Sequence, residues 1–266
     1  MNTWEALILG IIQGLTEFLP VSSSGHIELG SFLLGVQSSE NLIFSILVHG
    51  ATALSTIVIF RRDILGIFRG LLHFSWNEET KFVFKIIISM IPVGLAGILY
   101  EDEIEQLFGG NVVFVACMLL ITGTLLLITW FTKDRQGDIS WWKALVIGIA
   151  QAVAILPGIS RSGATITTAL YLGVEKNRAT RFSFLMVLPP ILGAMLLKFK
   201  DLAEAPDTVT TLPVSILIAG FIAAFVSGLL ACQWMISIVR KGKLIYFAYY
   251  CYAIALITLI IYFVSR

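Results

Sequence analysis

Six runs in this chain, 42–60, 82–100, 111–131, 182–199, 212–238 and 244–264, are apolar over lengths close to the ~20 residues that cross a bilayer. Hydrocarbon offers backbone N–H and C=O groups no partners, so segments of this kind fold as helices that satisfy themselves. A composition that is 58% hydrophobic and 13% charged lies outside the range of soluble domains. Trp4, Trp130, Trp141, Trp142 and Trp234 fall near ends of apolar runs, where an interfacial aromatic belt places them. The expected fold class is therefore all-α, a polytopic integral membrane protein. The N-terminus has no basic stretch of the signal-peptide kind, so the mature chain is expected to begin near Met1. A net charge of +1 gives no reason to expect nucleic acid as a partner. Cys117, Cys232 and Cys251 lie within apolar spans without metal-ligand spacing and read as small packing residues.

One polar passage is written twice, 138 positions apart. Gly10-Ile-Ile-Gln13-Gly-Leu-Thr-Glu17-Phe-Leu-Pro20-Val-Ser22-Ser23-Ser24-Gly25 is matched by Gly148-Ile-Ala-Gln151-Ala-Val-Ala-Ile-Leu-Pro157-Gly-Ile-Ser160-Arg161-Ser162-Gly163. The register continues through Leu34-Gly35-Val36 against Leu172-Gly173-Val174 and Phe44-Ser45 against Phe182-Ser183. No long linker or low-complexity tract divides the chain. Residues 1–266 are expected to form a single membrane domain of two repeats, about 1–135 and 139–266.

Four further apolar runs, 4–19, 27–36, 141–156 and 164–174, are too short to cross, and they fall in two pairs split by the Ser/Gly passages. Each pair reads as a re-entrant hairpin that enters and leaves on one side. Each repeat then holds one hairpin and three spans. Three is odd, so the second repeat is expected to be inverted. Loop charges agree. One side receives Arg61, Arg62, Arg69, Lys81, Lys133, Arg135, Lys143, Lys176, Arg178, Arg181, Arg240, Lys241 and Lys243. The other receives Lys198, Lys200 and Arg266 together with Glu101, Asp102, Glu103, Glu105, Asp201, Glu204 and Asp207. The bias makes the first side cytoplasmic and puts both termini outside, with the hairpin tips meeting near the midplane.

Chemistry concentrates at the tips. A short helix is expected to begin at about Gly25 and at about Gly163, each aiming free amides and a positive dipole end at the other tip. Two such ends with Arg161 between them make an anion site, and the planar guanidinium suits phosphate. Arg161, Ser160, Ser162, Thr165, Ser22 and Ser24 are the candidate substrate-binding residues. Glu17 is the principal intramembrane carboxylate, and Gln13 stands one turn before it. Two readings stay open: Glu17 neutralises Arg161, or Glu17 and Gln13 hold a hard divalent cation, Mg²⁺ or Ca²⁺, that also touches phosphate. Ser22, Ser23 and Ser24 either satisfy the turn backbone or provide a hydroxyl beside His26, a minimal nucleophile–base pair of Ser23 and His26. His49, mid-span, reads first as a packing histidine.

Glu17-Phe-Leu-Pro-Val-Ser-Ser23-Ser-Gly-His26 and Pro157-Gly-Ile-Ser160-Arg161-Ser162-Gly-Ala-Thr165 resemble the two signature motifs of the bacterial undecaprenyl-diphosphatases of the bacitracin-resistance type. The resemblance runs through essentially the whole chain, including Phe-Ser-Phe-Leu at 182–185. It implies a multi-pass enzyme of the bacterial inner membrane that cleaves the terminal phosphate of undecaprenyl diphosphate, a lipid carrier for peptidoglycan and other envelope glycans. It also implies that Glu17 belongs to a divalent-metal-dependent acidic motif, Ser23 and His26 to the catalytic centre, and Arg161 to diphosphate binding. Gln13 departs from the pattern, because many relatives carry a second glutamate there. The expected partners are the lipid substrate and surrounding membrane lipids, with a homodimer left open. The rival class is a transporter or flippase of a lipid phosphate or other anion, which has use for Arg161 but none for a Ser23/His26 pair.

Overall fold

The computed structural model describes residues 1–36, 42–100, 103, 107, 111–132, 135–204 and 212–264, and among these the chain is helical with no β-strand. Among the described residues each half contributes six main helices. The first has α1 (Thr3–Phe18), α2 (Ser23–Leu34), α3 (Leu42–Ile59), α4 (Arg61–Leu72), α5 (Glu78–Leu99) and α6 (Val112–Ile128), the last prolonged by a 3₁₀ turn at Thr129–Phe131. The second has α7 (Trp141–Val153), α8 (Arg161–Tyr171), α9 (Lys176–Met186), α10 (Leu188–Glu204), α11 (Val214–Arg240) and α12 (Ile245–Val264). The helices α1–α2 and α7–α8 fold back as the two re-entrant hairpins, and three spans follow each: α3, α5 and α6 in one half, α9–α10, α11 and α12 in the other. With an odd number of crossings per repeat, the second copy is inverted relative to the first.

The repeats interlock. Helix α1 lies along α11 of the other repeat, and α7 lies along α5; α6 and α12 pack together between them. Bilayer lipid gives no hydrophobic drive for this association, so it rests on close approach of small residues. A Cβ at Gly10 would strike the Gly220 backbone, and one at Gly14 would strike Ser227 and Ala224. On the opposite interface a Cβ at Gly148 would land on the backbone of Ser89. Outward faces stay apolar: α5 exposes Phe84, Ile87, Ile91, Leu95 and Ile98, a stripe suited to contact with lipid.

Three details differ from the sequence expectation. The re-entrant helices begin at Ser23 and Arg161, two residues before Gly25 and Gly163, because Ser22 and Ser160 act as N-caps through hydrogen bonds from the Gly25 and Gly163 amides. The run after Ile59 does not become loop. It bends by 74° into α4, which carries Arg61, Arg62 and Arg69 beside exposed Leu65, Phe68 and Leu72, the composition of an interfacial helix. The span read as 182–199 starts at Lys176 and is interrupted at Val187, since Pro189 and Pro190 cannot donate to the preceding turn.

The basic loops meet on one face. Arg181 pairs with Asp63 at 2.6 Å, Arg178 with Asp138, and Arg240 Nε donates to Asn177 Oδ1 at 3.1 Å. Trp76 stacks on Trp141 at 6.2 Å, with Lys85 over the same ring. Of the loop charges assigned from the sequence, Lys133, Glu101, Asp102, Glu105, Asp207 and Arg266 lie outside the described residues, as do the side chains of Lys198, Asp201 and Glu204.

Candidate active site at the crossing of the hairpins

The two tips meet directly, with hydrogen bonds in both directions and one pair of glycine contacts related by the repeat. Ser22 Oγ accepts a hydrogen bond from the Gly158 amide at 3.2 Å, and Ser162 Oγ donates back to the Leu19 carbonyl at 3.3 Å. A Cβ on Gly25 would touch Gly158 Cα, while one on Gly163 would touch Pro20, its counterpart at the 138 offset. Each tip is also held from outside by the other repeat. Thr122 of α6 donates to the Gly158 carbonyl at 3.0 Å and accepts from the Ser160 amide at 3.1 Å. Cys251 of α12, buried, lies 3.7 Å from the Pro20 carbonyl, a weak S–H donor at the equivalent place. Gly158 sits at φ +99°, a backbone value open to a residue without Cβ. Ser22 takes φ 70° with a side chain present, a strain on the order of 1–3 kcal/mol that the surrounding contacts must hold.

This crossing puts positions 23 and 161, the first residues of α2 and α8, on one carboxylate. Ser23 Oγ donates to Glu17 Oε2 at 2.7 Å, Gln13 Nε2 donates to the same oxygen at 3.0 Å, and Arg161 Nη2 stands 3.4 Å from Glu17 Oε1. The Glu17 side chain is 8% exposed and that of Arg161 is 31% exposed, so the guanidinium faces outward from a sheltered carboxylate. An intramembrane carboxylate is tolerable because a cation and two donors surround it.

Not every predicted pairing forms. Ser23 has its hydrogen bond to Glu17, and none to His26 occurs among the described residues. His26 Nδ1 instead donates to the Ser22 carbonyl at 2.8 Å, which leaves Nε2 against Tyr250 Oη at 2.9 Å, with the two rings stacked 5.6 Å apart. The sequence reading assigned His26 as the partner of Ser23; the helix start at Ser23 turns that hydroxyl toward α1 instead. Tyr250 was missed, and nothing local in the sequence marks it, since α12 meets α2 only through the interlocked fold. Thr165 Oγ1 donates to the Arg161 carbonyl at 2.9 Å, steadying the first turn of α8. Ser24 Oγ lies 3.3 Å from Ser22 Oγ, and Ser160 Oγ 3.3 Å from Ser162 Oγ. These hydroxyls build the tip backbone and leave the amides of residues 23, 24, 161 and 162 outside the capping scheme, free in principle for an anion. His49 Nδ1 donates to the Ser45 carbonyl at 2.8 Å, the packing role.

A pocket of about 20 Å³ lies behind the ion pair, lined by Glu17, Arg161, Thr165 and Ser183 among others. That is room for about one water, so a diphosphate must approach the exposed side of Ser23 and Arg161. For a divalent cation, Gln13 Oε1 is buried without a hydrogen-bond partner beside the Glu17 carboxylate. Oxygen-only donors of this kind fit a hard cation. Among the described residues no cluster of three His, Cys, Asp or Glu could hold a metal alone, so water or phosphate oxygens would share its shell.

The family model described as "Bacitracin resistance protein BacA" matches residues 6–257. A protein of Bacteroides thetaiotaomicron named undecaprenyl-diphosphatase is 55% identical over 262 residues, covering 98% of this chain and 99% of the relative. One of Bacteroides fragilis with the same name is 53% identical over 262 residues, 98% of each chain. A relative from Salinibacter ruber, again named undecaprenyl-diphosphatase, is 43% identical over 96% of this chain and 97% of its own. This chain belongs to the bacitracin resistance protein BacA family.

Proposed function

We propose that this protein hydrolyses undecaprenyl diphosphate to undecaprenyl phosphate and inorganic phosphate, returning the lipid carrier used for peptidoglycan and other envelope glycans. The observation that carries the reading is one sheltered carboxylate, Glu17, engaged at once by a serine hydroxyl and an arginine where two re-entrant helices cross. The relatives' names supply the substrate class, and a membrane-embedded anion site suits a lipid diphosphate.

In the proposed sequence Arg161 and the open tip amides bind the diphosphate while the polyprenyl chain stays in the bilayer. Ser23 Oγ attacks the terminal phosphorus as Glu17 takes its proton. The bond to the bridging oxygen breaks, undecaprenyl phosphate departs with that proton, and phosphoserine remains. Glu17, ionised again, then takes a proton from the water that attacks phosphoserine and returns it to Ser23 Oγ as the O–P bond breaks, which releases phosphate and restores both groups. His26 braces the strained Ser22 backbone through its Nδ1–H, with Tyr250 holding the far side of the ring. Gln13 and Glu17 are the residues that would hold Mg²⁺ or Ca²⁺. When bound, such an ion neutralises charge on the phosphoryl oxygens.

The positive-inside bias supports an orientation with the basic face cytoplasmic and both termini outside, in the inner membrane. The α1–α2 hairpin then enters from the outer face, and the active site is reached from there.

Phosphate release from undecaprenyl diphosphate by the purified protein in detergent, with and without EDTA and beside Arg161→Ala, tests the function. The expected result is metal-dependent release that the variant loses; no release by folded wild type with any divalent ion would overturn it. Trapping the phosphorylated residue tests the nucleophile. Phosphoserine at Ser23 is expected, and phosphohistidine at His26 without it would replace Ser23 in that role.

A further inference from the structure

The cavity of about 20 Å³ behind the ion pair is walled by two residues that each carry an unsatisfied oxygen. Ser183 of α9 is 4% exposed, and its Oγ has no hydrogen-bond partner among the described residues. A buried hydroxyl in that state calls for a ligand or an explanation. The other oxygen is Glu17 Oε1. Ser23 and Gln13 both donate to Oε2, whereas Oε1 meets only Arg161 Nη2 at 3.4 Å. Charge-assisted hydrogen bonds of this type run at about 2.7–2.9 Å, so the guanidinium leaves that oxygen unsatisfied.

The repeat accounts for both the lone hydroxyl and the space beside it. Ser183 is the counterpart of Ser45 at the 138 offset, and Val187 is the counterpart of His49. Ser45 Oγ lies 3.5 Å from His49 Nδ1, so the first copy sets an imidazole beside its serine. The second copy has a valine there, which offers the Ser183 hydroxyl no polar group and joins it in the cavity wall. The neighbouring residue brings Ser183 to Glu17. Phe184 meets Phe18 edge to face at 5.8 Å, which locks α9 against the end of α1. The remaining polar wall suits a neutral ligand that both donates and accepts. Thr52 Oγ1 donates to the His49 carbonyl and Thr165 Oγ1 to the Arg161 carbonyl, each at 2.9 Å, so both hydroxyls keep lone pairs but no free proton. Arg161 in the same wall repels a cation. The volume is that of about one water.

We infer that this cavity binds one ordered water that joins Ser183 Oγ to Glu17 Oε1. The water accepts the Ser183 proton, donates one of its own to Oε1 and gives the other to Thr52 or Thr165. Ser183 is thereby a positioning residue for the carboxylate, an inference that rests on the proposed role of Glu17 as base. The water matters most once diphosphate is bound. Arg161 then turns toward phosphate oxygens, and Oε1 keeps only the water to fix the plane of a carboxylate whose terminal torsion is soft. With that plane fixed, Oε2 stays on the Ser23 proton. Ser23 does not line the cavity, so this water is distinct from the one that attacks phosphoserine.

An experimental structure of the full chain, at a resolution that shows ordered waters, is the direct test. One water within about 3.2 Å of both Ser183 Oγ and Glu17 Oε1 is expected in the wild type. None is expected in Ser183→Val, whose second methyl group takes up the space. A wild-type map without that water overturns the inference, and it does so even if the variants fail to fold. Kinetics test the positioning role. Ser183→Ala should lower kcat about tenfold with KM within about twofold, and Ser183→Thr, which keeps the hydroxyl, should restore most of the loss. In a Glu17→Gln background Ser183→Ala should cost nothing further, because it acts through that carboxylate. Unchanged kcat in Ser183→Ala, or equal losses in the Ala and Thr variants, overturns the positioning role. The water is seen without turnover, so finding it in a chain that releases no phosphate would refute the hydrolase reading and leave the site standing.

Discussion

Ser23 and Arg161 are the same position in two copies of one hairpin, and both reach the Glu17 carboxylate, one at each oxygen: 2.7 Å from Ser23 Oγ to Oε2 and 3.4 Å from Arg161 Nη2 to Oε1. Duplication thus supplied two helix N-termini facing each other. Divergence of the first residue gave one end a hydroxyl and the other a guanidinium.

With Glu17 as the base for Ser23, Glu17→Gln keeps the shape and removes the proton acceptor. The expected loss is about 10²- to 10⁴-fold in kcat with KM changed far less. Initial rates of phosphate release across substrate concentrations check this; a proportionate rise in KM at unchanged kcat would show that Glu17 serves binding alone.

Arg161→Lys keeps the charge and discards the planar fork. The expected effect is weaker diphosphate binding, read mainly as a KM rise of about tenfold or more. Arg161→Ala should be worse on both counts, because it also strips Glu17 of its cation. Steady-state kinetics of the two variants side by side make the comparison.

Thr122→Val leaves the buried Gly158 carbonyl and Ser160 amide without their shared partner. Each buried unsatisfied group costs about 1–3 kcal/mol, so the unfolding temperature in detergent should fall clearly. Activity should fall too, since Ser160 caps the helix that presents Arg161.

Gly148→Ala forces a Cβ onto the Ser89 backbone where α7 and α5 touch. Neither helix can move away without disturbing a hairpin, and overpacking of this kind costs about 1–3 kcal/mol. Thermal unfolding measures it. Gly193→Ala, with nothing within 4 Å of its Cβ position, is the control and should be nearly neutral.

Gln13→Glu would place a second carboxylate beside Glu17. If the proposed cation sits there, half-maximal activity should need less Mg²⁺ or Ca²⁺, by about tenfold for one added hard ligand. Titrating the metal back into EDTA-treated wild type and variant gives the answer, and an unchanged midpoint would remove Gln13 from the ligand set.

The sequence by itself determined the helical membrane architecture, because long uncharged runs have no other way to satisfy their backbones in lipid. It also determined the paired hairpins and the inversion, since the duplicated passages fix the pairing and an odd number of spans fixes the sense. Gln13, Glu17, Ser23 and Arg161 were legible for the same reason: polar residues at bilayer depth are costly and stand out against an apolar background. Local capping chemistry then shifted the helix starts to Ser23 and Arg161, and with that one step the Ser23 hydroxyl went to Glu17 instead of His26. Only the tertiary structure decided which distant side chains complete the crossing. Thr122 and Tyr250 sit 36 and 224 residues from Gly158 and His26, the groups they hold. Their roles come from α6 and α12 packing around the tips, a relation between helices that no local pattern records.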